Sequence, residues 1–383
     1  MDTIIFVSKR FEIRNDVVLS KFSRSYHMCK ELSKSSRILW VAFSRYGGFK
    51  KFNLEKNISV ISYPYSSFFD YLKLLGGMID SKKPKIVIAT SDLWTGMLLL
   101  ALKHIMRKEF VGIFDFSDNY LSYVFYKNPF CKLWGRFSML LVSKYMDFAT
   151  CVGHNIFEAV AKCRGSRAGL VKVFNGVDFG QVRNAGKSKS RKKLGLGQKS
   201  RIILYCGAMQ NNRNVNFLLK SFKNIEMKRE DVMLLMVGGG DDLKEIMKMS
   251  KVLEIKNIKF TGQMPYSQVK YFISASDICV IPNPENDFTH YSFPLKLVEY
   301  MACKKPVVAS DVGEVPRVVK DRRNGLVFRS GSSEDFETKV TLLLDNISLC
   351  SRLGKKAYKD VEQKYTWKKV LKPLTSLVFN KLL

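Results

Sequence analysis

The richest chemistry in this sequence lies between His290 and Phe328, in HYSFPLKLVEYMACKKPVVASDVGEVPRVVKDRRNGLVF. Ser292-Phe293-Pro294 reads as the opening of a helix, because proline suits a first turn whose amide has no internal acceptor. The unpaired N–H groups of the stretch Ser292-Phe293-Pro294-Leu295, in which Pro294 itself has none, form a place for a phosphate with the positive end of the helix dipole. Lys296 lies in that first turn and adds a full positive charge. Glu299, three residues on, sits on a nearby face, where a carboxylate can accept two ribose hydroxyls. Phosphate binder, ammonium and carboxylate together describe a site for a nucleoside diphosphate. The competing structural explanation is a helix with an incidental i, i+3 Lys–Glu pair.

Such a site needs strands and helices to hold it, and the chain supplies them in alternation. Strands are expected at Ile4–Val7, Ile38–Phe43, Lys85–Thr90, Phe110–Phe114 and Val171–Phe174 in the first half. In the second half they are expected at Ile202–Tyr205, Met233–Val237, Ile258–Phe260, Ile278–Ile281 and Pro306–Ala309. Leu19, Phe22, Tyr26 and Cys29 recur at helical spacing between the first two strands. Short apolar runs alternating with helical stretches imply βα units, hence an α/β fold with two Rossmann-like, doubly wound domains and a ligand at the carboxyl ends of the strands, in the cleft between them. The expected divisions are an N-terminal domain over 1–182, a basic linker over 183–200, a second domain over 201–365 and a tail over 366–383 that packs back on the protein. The stretch 181–200, QVRNAGKSKSRKKLGLGQKS, has no acidic residue and reads either as a solvated tether or as a contact for anionic lipid or substrate. Pro373 is expected to break or kink any helix in the tail.

The chain has 383 residues, 46% of them hydrophobic and 26% charged, which suits two globular domains and argues against a disordered chain. A net charge of +30 favours anionic partners: phosphorylated substrates, an acidic membrane surface or nucleic acid. No nucleic-acid module is present, so specific nucleic-acid binding is not expected. None of the eight cysteines forms a Cys-x-x-Cys pair, and His27, His104 and His154 are scattered. No metal site, disulfide framework or hydrolytic triad is expected, and no cofactor. The start MDTIIFVSKR is too short in apolar residues for a leader, and Lys103, His104 and Lys144 interrupt the most apolar stretches. These features suggest a cytoplasmic chain.

The block His290–Phe328 resembles the donor-binding signature of family 4-type glycosyltransferases, in the variant P-x-K-x-x-E-Y-M-A-x-x-K-P-V-V-A. Further matches fall in the family's order: Phe174-Asn175-Gly176-Val177-Asp178, Tyr205-Cys206-Gly207, Val237-Gly238-Gly239-Gly240, Phe260-Thr261-Gly262 and Asn324-Gly325-Leu326-Val327. The resemblance covers residues 170–330 well and the first half loosely. It implies the GT-B fold, with a nucleotide-sugar bound mainly by the second domain. It also implies that Gly207 and Arg213 stand where relatives hold the diphosphate, although Ala208 replaces one of the two usual cations. Where relatives carry Glu-x7-Glu, the second carboxylate is Glu299 but the first position holds Tyr291; Asp287 and His290 are the nearby substitutes. Gly239 and its neighbours suit either a donor contact or a tight strand-to-helix turn. Phe114-Asp115-Phe116-Ser117-Asp118 is similar to a segment that follows a strand in some relatives. Asp115 would then orient or deprotonate the acceptor hydroxyl, against the alternative of a helix cap.

Basic and aromatic residues mix at Lys9-Arg10-Phe11, Phe49–Phe52, Tyr65–Tyr71 and Tyr123–Phe137. The last, YVFYKNPFCKLWGRF, suits either core packing or a membrane interface with Lys127, Lys132 and Arg136 on phosphates. The expectation from the sequence is a glycosyltransferase that moves a sugar from a nucleotide-sugar to a hydroxyl of a glycan or lipid-linked acceptor, in cell-surface polysaccharide or glycolipid synthesis. Asp115, Arg213 and Lys296 would act in the reaction, the resemblance implying retention of configuration. An anionic membrane surface stays open as a partner and a peripheral location at its inner face with it. The alternatives are a sugar-nucleotide epimerase or hydrolase on the same fold, and a catalytically silent membrane-associated binding protein.

Overall fold

A computed structural model describes residues 1–10, 21–44, 48–64, 66–122 and 128–382. Phe11, Leu19, Tyr65 and the segment 123–127 lie outside the described residues. The chain forms two compact units, residues 1–174 with 370–383, and residues 175–369.

The first unit is built on an eight-stranded sheet: β1 (Thr3–Arg10), β2 (Arg37–Ser44), β3 (Lys50–Glu55), β4 (Ile58–Pro64), β5 (Ile86–Thr90), β6 (Val111–Phe116), β7 (Phe148–Cys151) and β8 (Leu170–Lys172). The spatial order is β3-β4-β2-β1-β5-β6-β7-β8. All neighbours run parallel except β3 against β4. Ile4, Ile5, Phe6 and Val7 are fully buried, as a continuous apolar run requires in a sheet covered on both faces. Each such side chain contributes about 1.5–3 kcal/mol by leaving water. Three strands of this unit escaped the sequence reading. β3 is a polar antiparallel edge beginning at exposed Lys50 and Lys51, β4 alternates buried Ile58 and Val60 with half-buried positions, and β7 has four residues. The helix Arg24–Leu32 begins where Ser23 Oγ accepts the Tyr26 amide at 3.2 Å, and it buries Tyr26, Met28, Cys29 and Leu32.

The tail returns to this unit. Helix Lys372–Leu382 buries Leu374 and Val378, and Lys85 Nζ donates to the Leu382 carbonyl at 2.6 Å. Pro373 is its second residue, so the proline starts this helix rather than breaking it; first-turn amides have no helical acceptor to lose.

The second unit has a six-stranded, wholly parallel sheet: β9 (Arg201–Cys206), β10 (Val232–Val237), β11 (Ile258–Phe260), β12 (Ile278–Ile281), β13 (Val307–Ser310) and β14 (Leu326–Phe328). Its order is β11-β10-β9-β12-β13-β14, which reverses direction between β9 and β12. At that reversal the connections diverge to opposite faces and leave a crevice beyond the strand ends.

The basic stretch 183–200 is part of this unit rather than a tether. It contains a helix, Lys187–Lys193, and Arg191 within it is 1% exposed. The Arg191 guanidinium donates to the carbonyls of Ala275 (2.9 Å) and Gln198 (2.7 Å) and to Asp277 Oδ2 (2.7 Å), while Asp277 also accepts the Ile202 amide. Charge density suggested solvation, but one arginine of the run is the anchor that fixes it. Consequently the first boundary falls between Phe174 and Asn175, not at 182. No helix among the described residues is long and apolar enough to cross a membrane.

Candidate functional site

In the second unit the loops after β9 and β10 meet without side chains between them. A Cβ on Gly238, whose φ is +134°, would stand 2.0 Å from the Gly207 carbonyl oxygen, so this position demands glycine. The Gly207 amide donates to the Val237 carbonyl at 2.9 Å and the Met209 amide to the Gly239 carbonyl at 3.0 Å. Gly239 thus takes part in the packing of the two loops. Gly207 serves another neighbour: a Cβ there would lie 2.7 Å from Lys296 Nζ. The missing side chain makes the space that the ammonium occupies.

Lys296 and Glu299 stand on the helix Leu295–Ala302. Tyr300 in this helix locks it to the end of β9, its hydroxyl accepting the Cys206 amide at 2.8 Å and donating to the Cys206 carbonyl at 3.2 Å. The Lys296 stem is half-buried, but its Nζ is closed off from solvent and has no hydrogen-bond partner among the described residues. The Nζ sits 4.1 Å from the centre of the Tyr205 ring. Burial, and then the charge of Arg213, push its pKa down to about 7, against the opposing pull of Cys206 and Glu299. Arg213 ends the turn Asn211–Arg213, with its guanidinium 4.1 Å from the centre of the Phe288 ring. Two cations therefore bear on one small space. An unpaired buried ammonium is costly, and an anion there would relieve both the desolvation and the repulsion.

Glu299 is 6% exposed and its Oε1 accepts from the Tyr266 hydroxyl at 2.7 Å. Burial holds its carboxyl above the ordinary value, opposed by the Tyr266 hydrogen bond and by Lys296. Oε2 makes no hydrogen bond among the described residues, so half of the carboxylate's accepting capacity is unspent. Burial and the nearby Glu299 push the Cys206 thiol up to about 12, leaving it neutral and a poor nucleophile.

The helix start differs from the sequence reading. Ser292 closes a preceding short helix, Asp287–Tyr291, with its amide on the Thr289 carbonyl at 3.4 Å. Pro294 is the N-cap, not the first helical residue, because Ser292 and Pro294 both hold extended backbone. Phe293 is buried and its carbonyl accepts from Asn175 Nδ2 at 2.9 Å. The Leu297 amide bonds to the Pro294 carbonyl at 3.0 Å, so the donors left at this end are the amides of Leu295 and Lys296. Asn286 caps the short helix, Asp287 is its first residue, and His290 Nδ1 lies 2.8 Å from Glu285 Oε1 at the surface.

In the first unit Asp115 is not open to an acceptor. It is fully buried at the end of β6. Arg24 clamps both oxygens (2.8 and 2.9 Å), Thr90 Oγ1 donates to Oδ2 at 3.0 Å and Thr150 Oγ1 to Oδ1 at 2.5 Å. With its lone pairs so engaged, Asp115 holds Arg24 in place, and Arg24 also donates to the Phe174 carbonyl at 3.2 Å. The expected proton-handling role is corrected to a positioning one. Asp118 accepts the Asn119 amide at 3.0 Å. Sequence reasoning missed Tyr266, Tyr205 and Arg24. Tyr205 lay inside a quoted motif and signalled itself only as an aromatic before Cys206-Gly207. Tyr266 lies 33 residues from its partner and gave no signal.

Comparison with known proteins meets this geometry. Sucrose-phosphate synthase from Thermosynechococcus elongatus superposes with a TM-score of 0.81 over 99% of both chains at 15% identity. HepE of Anabaena, solved in complex with UDP-glucose, gives 0.78 over 99% of this chain and 100% of that one at 14% identity. The fold is GT-B. Residues 186–360 match the family described as "Glycosyl transferases group 1", in line with the resemblance read in the sequence. N-acetyl-alpha-D-glucosaminyl L-malate synthase of Bacillus anthracis is 22% identical over 62% of this chain and 60% of its own. The GDP-mannose-dependent monoacylated alpha-(1-6)-phosphatidylinositol monomannoside mannosyltransferase of Corynebacterium glutamicum is 23% identical over 63% and 65%. The matches to the first curated relatives span 60–62% of those relatives' length.

Proposed function

We propose that this protein transfers a sugar from a nucleotide-sugar to a hydroxyl of a glycan or lipid-linked acceptor, with retention of configuration, in glycolipid or surface-polysaccharide synthesis. The observation that carries the reading is the enclosed, unpartnered Nζ of Lys296, set between glycine backbone and a second cation, Arg213. A diphosphate would satisfy this charge. Its oxygens would take hydrogen bonds from Nζ and from the amides of Leu295 and Lys296, and Oε2 of Glu299 would accept from the ribose. When the bond from the anomeric carbon to the β-phosphate oxygen breaks, its electron pair stays on that oxygen. Fixed positive charge at that oxygen stabilises the transition state more than the ground state. The acceptor oxygen forms the new bond to the anomeric carbon as its O–H bond breaks, and the proton passes to an oxygen of the departing diphosphate.

Supporting the donor class are the motif order, the family match over 186–360 and relatives whose names carry nucleotide-sugar chemistry. The test is binding of UDP-, GDP-, ADP- and TDP-sugars to the intact protein and to Glu299→Ala. Selective binding of one donor, weakened about tenfold or more by the substitution, supports the reading. Acceptor-dependent release of nucleoside diphosphate then separates transfer from hydrolysis. Absence of binding to every donor, or equal binding by the folded variant, refutes it.

A further inference from the structure

The helix Pro129–Tyr145 in the first unit is packed inside out. Its buried positions are Gly135, Ser138, Val142 and Ser143, small side chains that let it approach the helix Leu93–Leu100 closely. A Cβ on Gly96 would stand 2.8 Å from Val142. The large apolar residues face outward: Phe130 is 84% exposed, Leu133 67%, Trp134 55%, Phe137 48% and Leu140 43%. At 3.6 residues per turn, Phe130, Leu133, Phe137 and Leu140 fall within an arc of about 80°. Beside them an apolar groove of about 740 Å³ is lined by Phe68, Trp94, Met97, Ile105, Trp134 and Tyr145. Ile105, 79% exposed, and Phe69, 71% exposed, extend the surface beyond the groove. Scattered exposed apolar residues are ordinary, but a contiguous patch with its own groove is not.

Charge says what covers it. The helix carries Lys132, Arg136 and Lys144, all exposed, and no acidic residue; the π-helical turn Ala101–Ile105 is followed by Arg107 and Lys108. A second copy of the chain would bring the same cations against these ones, within a protein of net charge +30. A surface that is apolar inside and anionic at its rim suits both features. We infer that the helix Pro129–Tyr145, with the turn Ala101–Ile105, is a docking face for a lipid bilayer bearing anionic headgroups, with the aromatic and leucine side chains in the acyl boundary and Lys132 and Arg136 on phosphates. It needs nothing from the donor site, so it stands or falls apart from the proposed transfer.

The experiment is co-sedimentation of the full chain with phosphatidylcholine vesicles, with and without phosphatidylglycerol, at low and high salt. Binding is expected with the anionic lipid and weakens in salt. Lys132→Gln with Arg136→Gln removes two attracted charges, each worth about fivefold in partitioning. Phe130→Ser with Leu133→Ser and Phe137→Ser lowers partitioning about 100-fold, since each half-inserted side chain loses about fivefold. All five side chains are exposed, so the variants keep the parent's melting temperature and donor binding. Equal binding by the triple-serine variant overturns the inference, as does binding indifferent to anionic lipid. Light scattering that shows a dimer dissolved by these same substitutions overturns it in favour of a protein interface.

Discussion

Donor binding should draw a proton from solution onto Lys296. In the free protein burial and Arg213 hold this ammonium at about 7. A diphosphate within hydrogen-bond reach supplies two negative charges and returns it toward the ordinary lysine value of about 10.4. The sign follows from which state binds more protons. The complex is protonated throughout the range, whereas the free protein loses its proton as pH rises through 7. Uptake per donor bound is then about 0.1 proton at pH 6, about 0.5 at pH 7 and about 0.9 at pH 8. Affinity is flat below pH 7 and falls about 50-fold between pH 7 and pH 9 by the same linkage. UDP-glucose is a suitable probe if the donor panel selects it, since its phosphates do not titrate in this range. Calorimetry in buffers of different ionisation enthalpy reads the uptake directly. Lys296→Met abolishes the uptake and the pH dependence together. It also raises the melting temperature of the free protein, by about 2 kcal/mol of stability at pH 6 and by less at pH 9, where the lysine is already neutral. An affinity unchanged from pH 6 to 9, with a buffer-independent enthalpy, would refute the reasoning even if the donor binds.

Three further outcomes test other parts of the structure. Tyr266→Phe removes the donor to Glu299 Oε1, and the carboxyl, already raised by burial, rises further; donor affinity falls about tenfold, more at pH 6 than at pH 8, in the same calorimetric titration. Asp115→Asn or Arg24→Met alone strands a buried charge and costs about 3–5 kcal/mol in denaturant unfolding, while the pair together recovers most of it. Normal stability with lost turnover in Asp115→Asn would return that residue to a catalytic role. Arg191→Met costs a similar amount, about 3–5 kcal/mol, and exposes residues 187–200 to proteolysis; a free tether would show neither effect.

The sequence determined the βα alternation, because fully buried parallel strands must be continuous apolar runs and Ile4–Val7 or Ile202–Tyr205 can do little else. It also determined that Lys296 and Glu299 stand one turn apart on one helix, since helical spacing fixes three-residue neighbours, and the glycines that bring loop backbones together. Tertiary structure decided the rest. Whether an acidic residue at a strand end meets solvent or an arginine depends on a partner 91 positions away, which made Asp115 a clamp for Arg24. Only the fold could show that Arg191 is buried on Asp277, because a run of cations looks solvated until a distant carboxylate and three carbonyls enclose one of them. The outward aromatic face of Pro129–Tyr145 was legible as composition but not as orientation. Local periodicity gives a helix its two faces; the neighbours it packs against choose which one is turned to water.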